Sequence, residues 1–171
     1  MTTTGRAWKL PGNVDTDALA PGKAMSGGLG GIAPHCLKTI RPEFADEVKP
    51  ADLIVAGANF GVGSSREQAA GVLRHLGLAA VLAPSFAGLF YRNAFNLGLP
   101  ALVCAQTQEI ADGARLSLDM NKACVIDADT GDRWSFEPVP EFLQAMIDAG
   151  GLLPQLRARL AADKSQNQPT A

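Results

Sequence analysis

Three short apolar runs, at residues 52–56, 79–83 and 100–104, alternate with two stretches of helical spacing, and this alternation restricts the possible folds of the chain most. In the first helical stretch Ala69, Val72, Leu73 and Leu76 recur at the three-and-four spacing of one helix face. It opens at Ser64 and ends at Gly77, where glycine admits the left-handed conformation that stops helices. In the second, Phe86, Leu89, Phe90, Ala94 and Leu97 share a face, with Pro84-Ser85 as the start and Gly98 as the stop. Strand, helix, strand, helix, strand in this order implies parallel pairing with right-handed crossovers. The expected fold is α/β, with a parallel βαβαβ centre and added β-hairpin structure.

The additions lie on both sides. Residues 7–10 read as a short strand ended by Pro11-Gly12. Residues 115–118, 124–127 and 133–136 read as β segments, with Asp129-Thr-Gly-Asp132 as a hairpin turn. Closing helices are expected over 140–149 and 153–161. Segment 21–34 holds five glycines and two prolines and reads as a mobile loop. The whole is expected to be one domain over residues 1–162, followed by a frayed polar tail at 163–171.

Composition matters here for what it excludes. A net charge of -2 provides no strong field for nucleic acid or a membrane surface. No apolar run approaches membrane-spanning length, and the first residues lack the apolar core of a secretion signal, so a cytoplasmic protein is expected. The three cysteines, Cys36, Cys104 and Cys124, are far apart in sequence. They read as buried or idle thiols and form neither a disulfide framework nor a cluster site unaided. No metal site is expected on this chain.

The chemistry concentrates in Ala58-Asn-Phe-Gly-Val-Gly-Ser-Ser-Arg-Glu-Gln68. A P-loop would need a lysine before the serine, the dinucleotide pattern fails at Arg66, and the nucleophile elbow fails at Gly63. A glycine-rich turn running into a helix N-terminus, with two hydroxyls and a guanidinium, suits a small anion. The competing reading is a capping box, with Ser64 as cap and Glu67 three residues on. Capping explains neither the glycines nor an arginine in the first turn, and both readings stand at this level. For Asp15-Thr16-Asp17, spacing alone favours a turn. His35, His75 and Tyr91-Arg92-Asn93 read as surface or packing residues, although Arg92 and Asn93 are within a helix that could present them to a ligand.

Taken together, Gly12-Asn-Val-Asp-Thr-Asp17, Ala20-Pro-Gly22, the stretch from Asp52 to Gln68 and the stretch from Ala83 to Pro100 resemble the small subunits of the aconitase superfamily. The short length most resembles the isopropylmalate dehydratase and homoaconitase small subunits. The resemblance implies a swivelling β/β/α domain that closes over a larger subunit. That subunit holds a [4Fe–4S] cluster on three cysteines, with one iron open to substrate. It implies a hydro-lyase that isomerises 2-hydroxy and 3-hydroxy diacids, and for the isopropylmalate members a place in leucine biosynthesis. By the same resemblance Ser64 is the catalytic base, and Ser65 and Arg66 bind a substrate carboxylate. Lys23 stands where many relatives have an arginine and is expected to bind substrate, and Asp17 with Thr16 supports the site. Relatives often carry cysteine at the position of Val62 and histidine at that of Gln68. Segment 22–33 is expected to cover the variable substituent. Other diacids (homoaconitate, dimethylmalate, citraconate or maleate) and a non-catalytic carboxylate-binding domain are the alternatives.

Overall fold

The first strand of the chain serves two different partners, and the architecture follows from that. In the computed structural model, which describes residues 2–166, seven strands form one sheet. They are β1 (Thr2–Leu10), β2 (Leu53–Ala56), β3 (Ala80–Ala83), β4 (Ala101–Val103), β5 (Arg115–Asp119), β6 (Cys124–Asp127) and β7 (Arg133–Ser135). The helices are α1 (Thr16–Leu19), α2 (Gly28–Ile32), α3 (Phe44–Glu47), α4 (Glu67–His75), α5 (Gly88–Asn96), α6 (Glu141–Asp148) and α7 (Leu152–Gln166). The spatial order is β4-β3-β2-β1-β5-β6-β7. Residues 7–10 of β1 run parallel to β2, while residues 2–6 pair antiparallel with β5. The parallel centre continues through β3 to β4, and β5, β6 and β7 form an antiparallel meander.

Every residue of β2 and β3 is buried, because both faces of the parallel half are covered. On one face Trp8, Ile54 and Val81 join Val72 and Leu73 of α4 and Phe90 and Ala94 of α5. On the other, Ala7, Leu53, Val55 and Leu82 pack with Leu116, Leu118, Val125 and Trp134 of the curled meander. The result is three layers, β/β/α, with an apolar core on each side of the central strands. Asp52 is buried at the start of β2, where its carboxylate accepts the Arg6 and Lys49 backbone N–H groups and the Trp8 indole N–H at 2.9–3.0 Å.

Several expectations need correction. β1 begins at Thr2, since residues 2–6 find their partner in β5 without any apolar pattern of their own. Segment 21–34 is not an open loop: it forms a 3-10 turn (Gly22–Gly27), α2 and a second 3-10 turn (Ala33–His35). Its apolar residues hold it down, with Ile32 fully buried and Leu29 seated against Gly71 of α4. Helix α4 starts at Glu67, three residues after the expected Ser64, and α5 at Gly88, because Phe86 first bridges to Phe60. Leu89, assigned to the buried face, is 45% exposed. Helix α7 continues to Gln166, and residues 167–171 of the expected tail lie outside the described residues. No helix among the described residues is long and apolar enough to cross a membrane.

Candidate active site

Two loops at the C-terminal ends of β1 and β2 build the site. They are stitched together by backbone: the Asn13 N–H donates to the Ala58 carbonyl, the Gly61 N–H to Val14, and the Thr16 N–H to Val62, at 2.8–2.9 Å. The Asn59 side-chain amide adds a bond to Asn13 Oδ1 at 2.8 Å. Distant stretches of sequence, the DTD block and the glycine-serine block, thereby lie side by side.

Two glycines shape the turn. At Gly61 φ is +79°, and a Cβ there would come within 2.2 Å of the Phe90 ring, so only glycine lets the loop close onto α5. At Gly63 φ is +108°, and the turn then carries Ser64 and Ser65 into the open. The Ser64 N–H donates to the buried Thr16 hydroxyl at 3.0 Å. Helix α4 is capped at Arg66, whose backbone is extended and makes no side-chain cap bond. The capping box is therefore absent, and Arg66 precedes the first turn instead of lying in it. Neither serine hydroxyl has a hydrogen-bond partner among the described residues. The same holds for the N–H groups of Ser65, Arg66, Glu67 and Gln68.

Arg66 is held by one nitrogen. Its Nη1 forms an ion pair with Asp17 and donates to the Ala20 carbonyl at 3.2 Å. Nε and Nη2 have no partner among the described residues, and a Cβ on Gly22 would lie 4.0 Å from Nη2, an ordinary contact. A guanidinium anchored this way offers its remaining edge to a carboxylate. The DTD block divides its work: the Asp15 side chain accepts the Ala18 N–H at 2.7 Å as the cap of α1, as the turn reading expected, and Asp17 turns to Arg66.

Lys23 is exposed and lines an open depression of about 410 Å³ with His35, Lys38 and Thr39, and it follows Gly22, where a Cβ would lie 4.0 Å from Arg66 Nη2. His75 is exposed in the last turn of α4. Tyr91 packs edge-on against Phe95, Arg92 points to solvent, and Asn93 is buried with its amide reaching the Ser65 carbonyl. That last contact, and the Ala20 carbonyl on Arg66, carried no signal in the sequence. Val62 pairs its backbone with the DTD block. All three cysteines are buried, and burial pushes the Cys36 thiol up to about 12. Among the described residues no group of three His, Cys, Asp or Glu side chains is placed to hold a metal ion.

The Aconitase C-terminal domain family matches residues 39–107, the span that runs from before β2 past β4 and contains the serine turn. With the three-layer fold, this makes the molecule a swivel domain of the aconitase superfamily. The 3-isopropylmalate dehydratase small subunit of Nautilia profundicola is 43% identical over 162 residues, covering 94% of this chain and 98% of that protein. The methanogen homoaconitase small subunit of Methanothermobacter thermautotrophicus is 40% identical over 150 residues, 87% of each. A crystal structure of 3-isopropylmalate dehydratase (LeuD) from Methanocaldococcus jannaschii superposes with a TM-score of 0.92 at 38% identity, covering 98% of this chain and all of that one. The chain belongs to the family of 3-isopropylmalate dehydratase small subunits.

Proposed function

We propose that this chain is the small subunit of a 3-isopropylmalate dehydratase of leucine biosynthesis. It contributes half of an active site to a cytoplasmic complex with a larger subunit, and residues 1–162 move as one swivel unit. The observation that carries the reading is the exposed turn on which two hydroxyls, four N–H groups and the open edge of Arg66, all without a partner among the described residues, converge. These groups suit a dicarboxylate at the surface and are too open to enclose it, so a second polypeptide must complete the site.

In this mechanism Arg66 grips one substrate carboxylate through Nε and Nη2, with the Ser65 hydroxyl on the same group. Asp17 and the Ala20 carbonyl hold the guanidinium in place. Ser64 takes the proton from the carbon next to that carboxylate. A serine hydroxyl is a weak base at neutral pH, so its alkoxide needs the stabilisation of adjacent N–H groups and positive charge. As negative charge spreads onto the carboxylate, the free N–H groups at the start of α4 and the guanidinium oppose it. A [4Fe–4S] cluster held by the large subunit would supply the Lewis acid for the departing hydroxyl, and this chain holds none of its ligands among the described residues. Lys23 and the segment around it approach the variable substituent when the two subunits close.

Reconstitution with the large subunit tests the assignment. Ser64→Ala should lower kcat by about three orders of magnitude or more with KM largely kept, the scale of losing an essential proton-transfer group. Near-normal turnover would remove Ser64 from the chemistry. The 40% identity to a homoaconitase subunit makes a panel of diacids the natural companion experiment. Isopropylmalate should be turned over with the highest kcat/KM.

A further inference from the structure

Five polar or charged residues are buried among the described residues: Thr16, Asp52, Asn93, Thr107 and Asp127. Asp52 and Asp127 accept backbone N–H groups that close turns. Thr16 and Asn93 do something else. Both direct their side chains at the serine turn, from two different helices, α1 and α5. Thr16 accepts the Ser64 N–H at 3.0 Å, and Asn93 donates from Nδ2 to the Ser65 carbonyl at 3.4 Å, the long end of the hydrogen-bonding range. The two exposed serines are thus held at the amide of one and the carbonyl of the other.

Asn93 is an unfavourable residue for its position. It lies inside α5 between the buried Phe90 and Ala94, where asparagine is a poor helix former and an apolar side chain would pack without loss. Its described hydrogen bond goes to the turn and not to its own helix. A trans peptide is planar, so its C=O and N–H point in opposite directions. No peptide among the described residues is cis. A Ser65 carbonyl drawn towards α5 therefore turns the Arg66 N–H away from it, and that N–H has no acceptor among the described residues.

We infer that Asn93 is a positioning residue for the reaction: by fixing the Ser65–Arg66 peptide it aims the Arg66 N–H outward, at the carboxylate that the Arg66 side chain grips. The inference rests on the active-site assignment proposed above. Without the clamp the peptide can rotate, and the N–H that meets developing charge is lost together with the exact setting of Ser64. Misplacement of this kind costs roughly 100-fold in rate.

The test uses the reconstituted complex with Asn93→Asp, which keeps shape but removes the donor, and Asn93→Leu, which keeps volume. Arg92→Ala, on the exposed side of the same helix, is the control. Both Asn93 variants should lose kcat by about 10–100-fold, with KM rising no more than severalfold and Arg92→Ala unchanged. Turnover within twofold of wild type in either folded Asn93 variant overturns the inference. If Ser64→Ala is inactive in the same assays, the site assignment survives that result. If Ser64→Ala is active, the assignment itself fails. A measurement on the unaltered isolated chain is independent of how the variants fold: the Arg66 amide should exchange freely with solvent by NMR. A protected Arg66 amide would overturn the inference equally.

Discussion

Thr16 and Ser64 are 48 residues apart in sequence and joined by one hydrogen bond, from the Ser64 N–H to the Thr16 hydroxyl at 3.0 Å. The threonine is buried and the serine exposed, so the bond carries positional information from the core to the surface turn. Thr16→Val keeps the shape and removes the acceptor. It should destabilise the chain by about 1 kcal/mol and lower kcat of the complex, whereas Thr16→Ser should restore both. Thermal melts and steady-state kinetics on the pair of variants give the comparison. A Thr16→Ser enzyme as impaired as Thr16→Val would mean that methyl packing, not the hydrogen bond, sets the turn.

The Asp17–Arg66 pair predicts a different pattern. Asp17 is 68% exposed at its side chain, so the ion pair contributes little to stability. Asp17→Asn should therefore melt close to wild type while raising KM, because Arg66 loses the partner that orients it. Arg66→Lys retains charge without the planar fork and should raise KM by about tenfold or more. An unchanged KM in both would separate Arg66 from substrate binding.

Away from the site, Asp52 is a structural carboxylate. Its removal in Asp52→Ala strands three N–H donors, one of them the buried Trp8 indole. Denaturant titration should show a loss of about 2–3 kcal/mol, on the scale of unsatisfied buried donors. The kinetics of whatever protein remains folded should be unaffected.

Asp112 links stability to pH. Burial alone would raise its carboxyl, but the Arg41 guanidinium, bonded to both oxygens at 3.0 and 3.2 Å, and the Lys9 N–H override this and hold it below the usual carboxylate range. A carboxylate depressed on folding stabilises the native state above its unfolded pKa, and that stability disappears as pH falls through the folded value. The melting temperature should accordingly fall below about pH 4, and less steeply in Asp112→Asn. Because Asp112 is 46% exposed, the effect should be modest and should shrink in high salt. Identical acid profiles for the two proteins would rule the pair out as a contributor.

The parallel centre was legible because it is written locally. Continuous apolar runs, helix-period faces and stop glycines at Gly77 and Gly98 are short-range signals, and the strands and helices formed within a few residues of where they were expected. Segment 21–34 was misread for the same reason in reverse: glycine-rich sequence has no helical preference of its own, and contacts of Leu29 and Ile32 with the core decided its shape. Residues 2–6 became strand only because β5 was there to pair with them.

Ser64, Ser65, Arg66 and Asp17 became candidates through the resemblance of their motifs, and the chemistry proposed for them follows from residue type. Their arrangement does not. A capping box satisfies the same sequence, and the choice against it was made when Thr16, at the start of α1, took the Ser64 N–H. The grip of Asn93 on Ser65 was settled in the same way, by which elements the sheet brought together. Sequence determines which groups can react; long-range packing, which no local pattern encodes, decides which of them face one another.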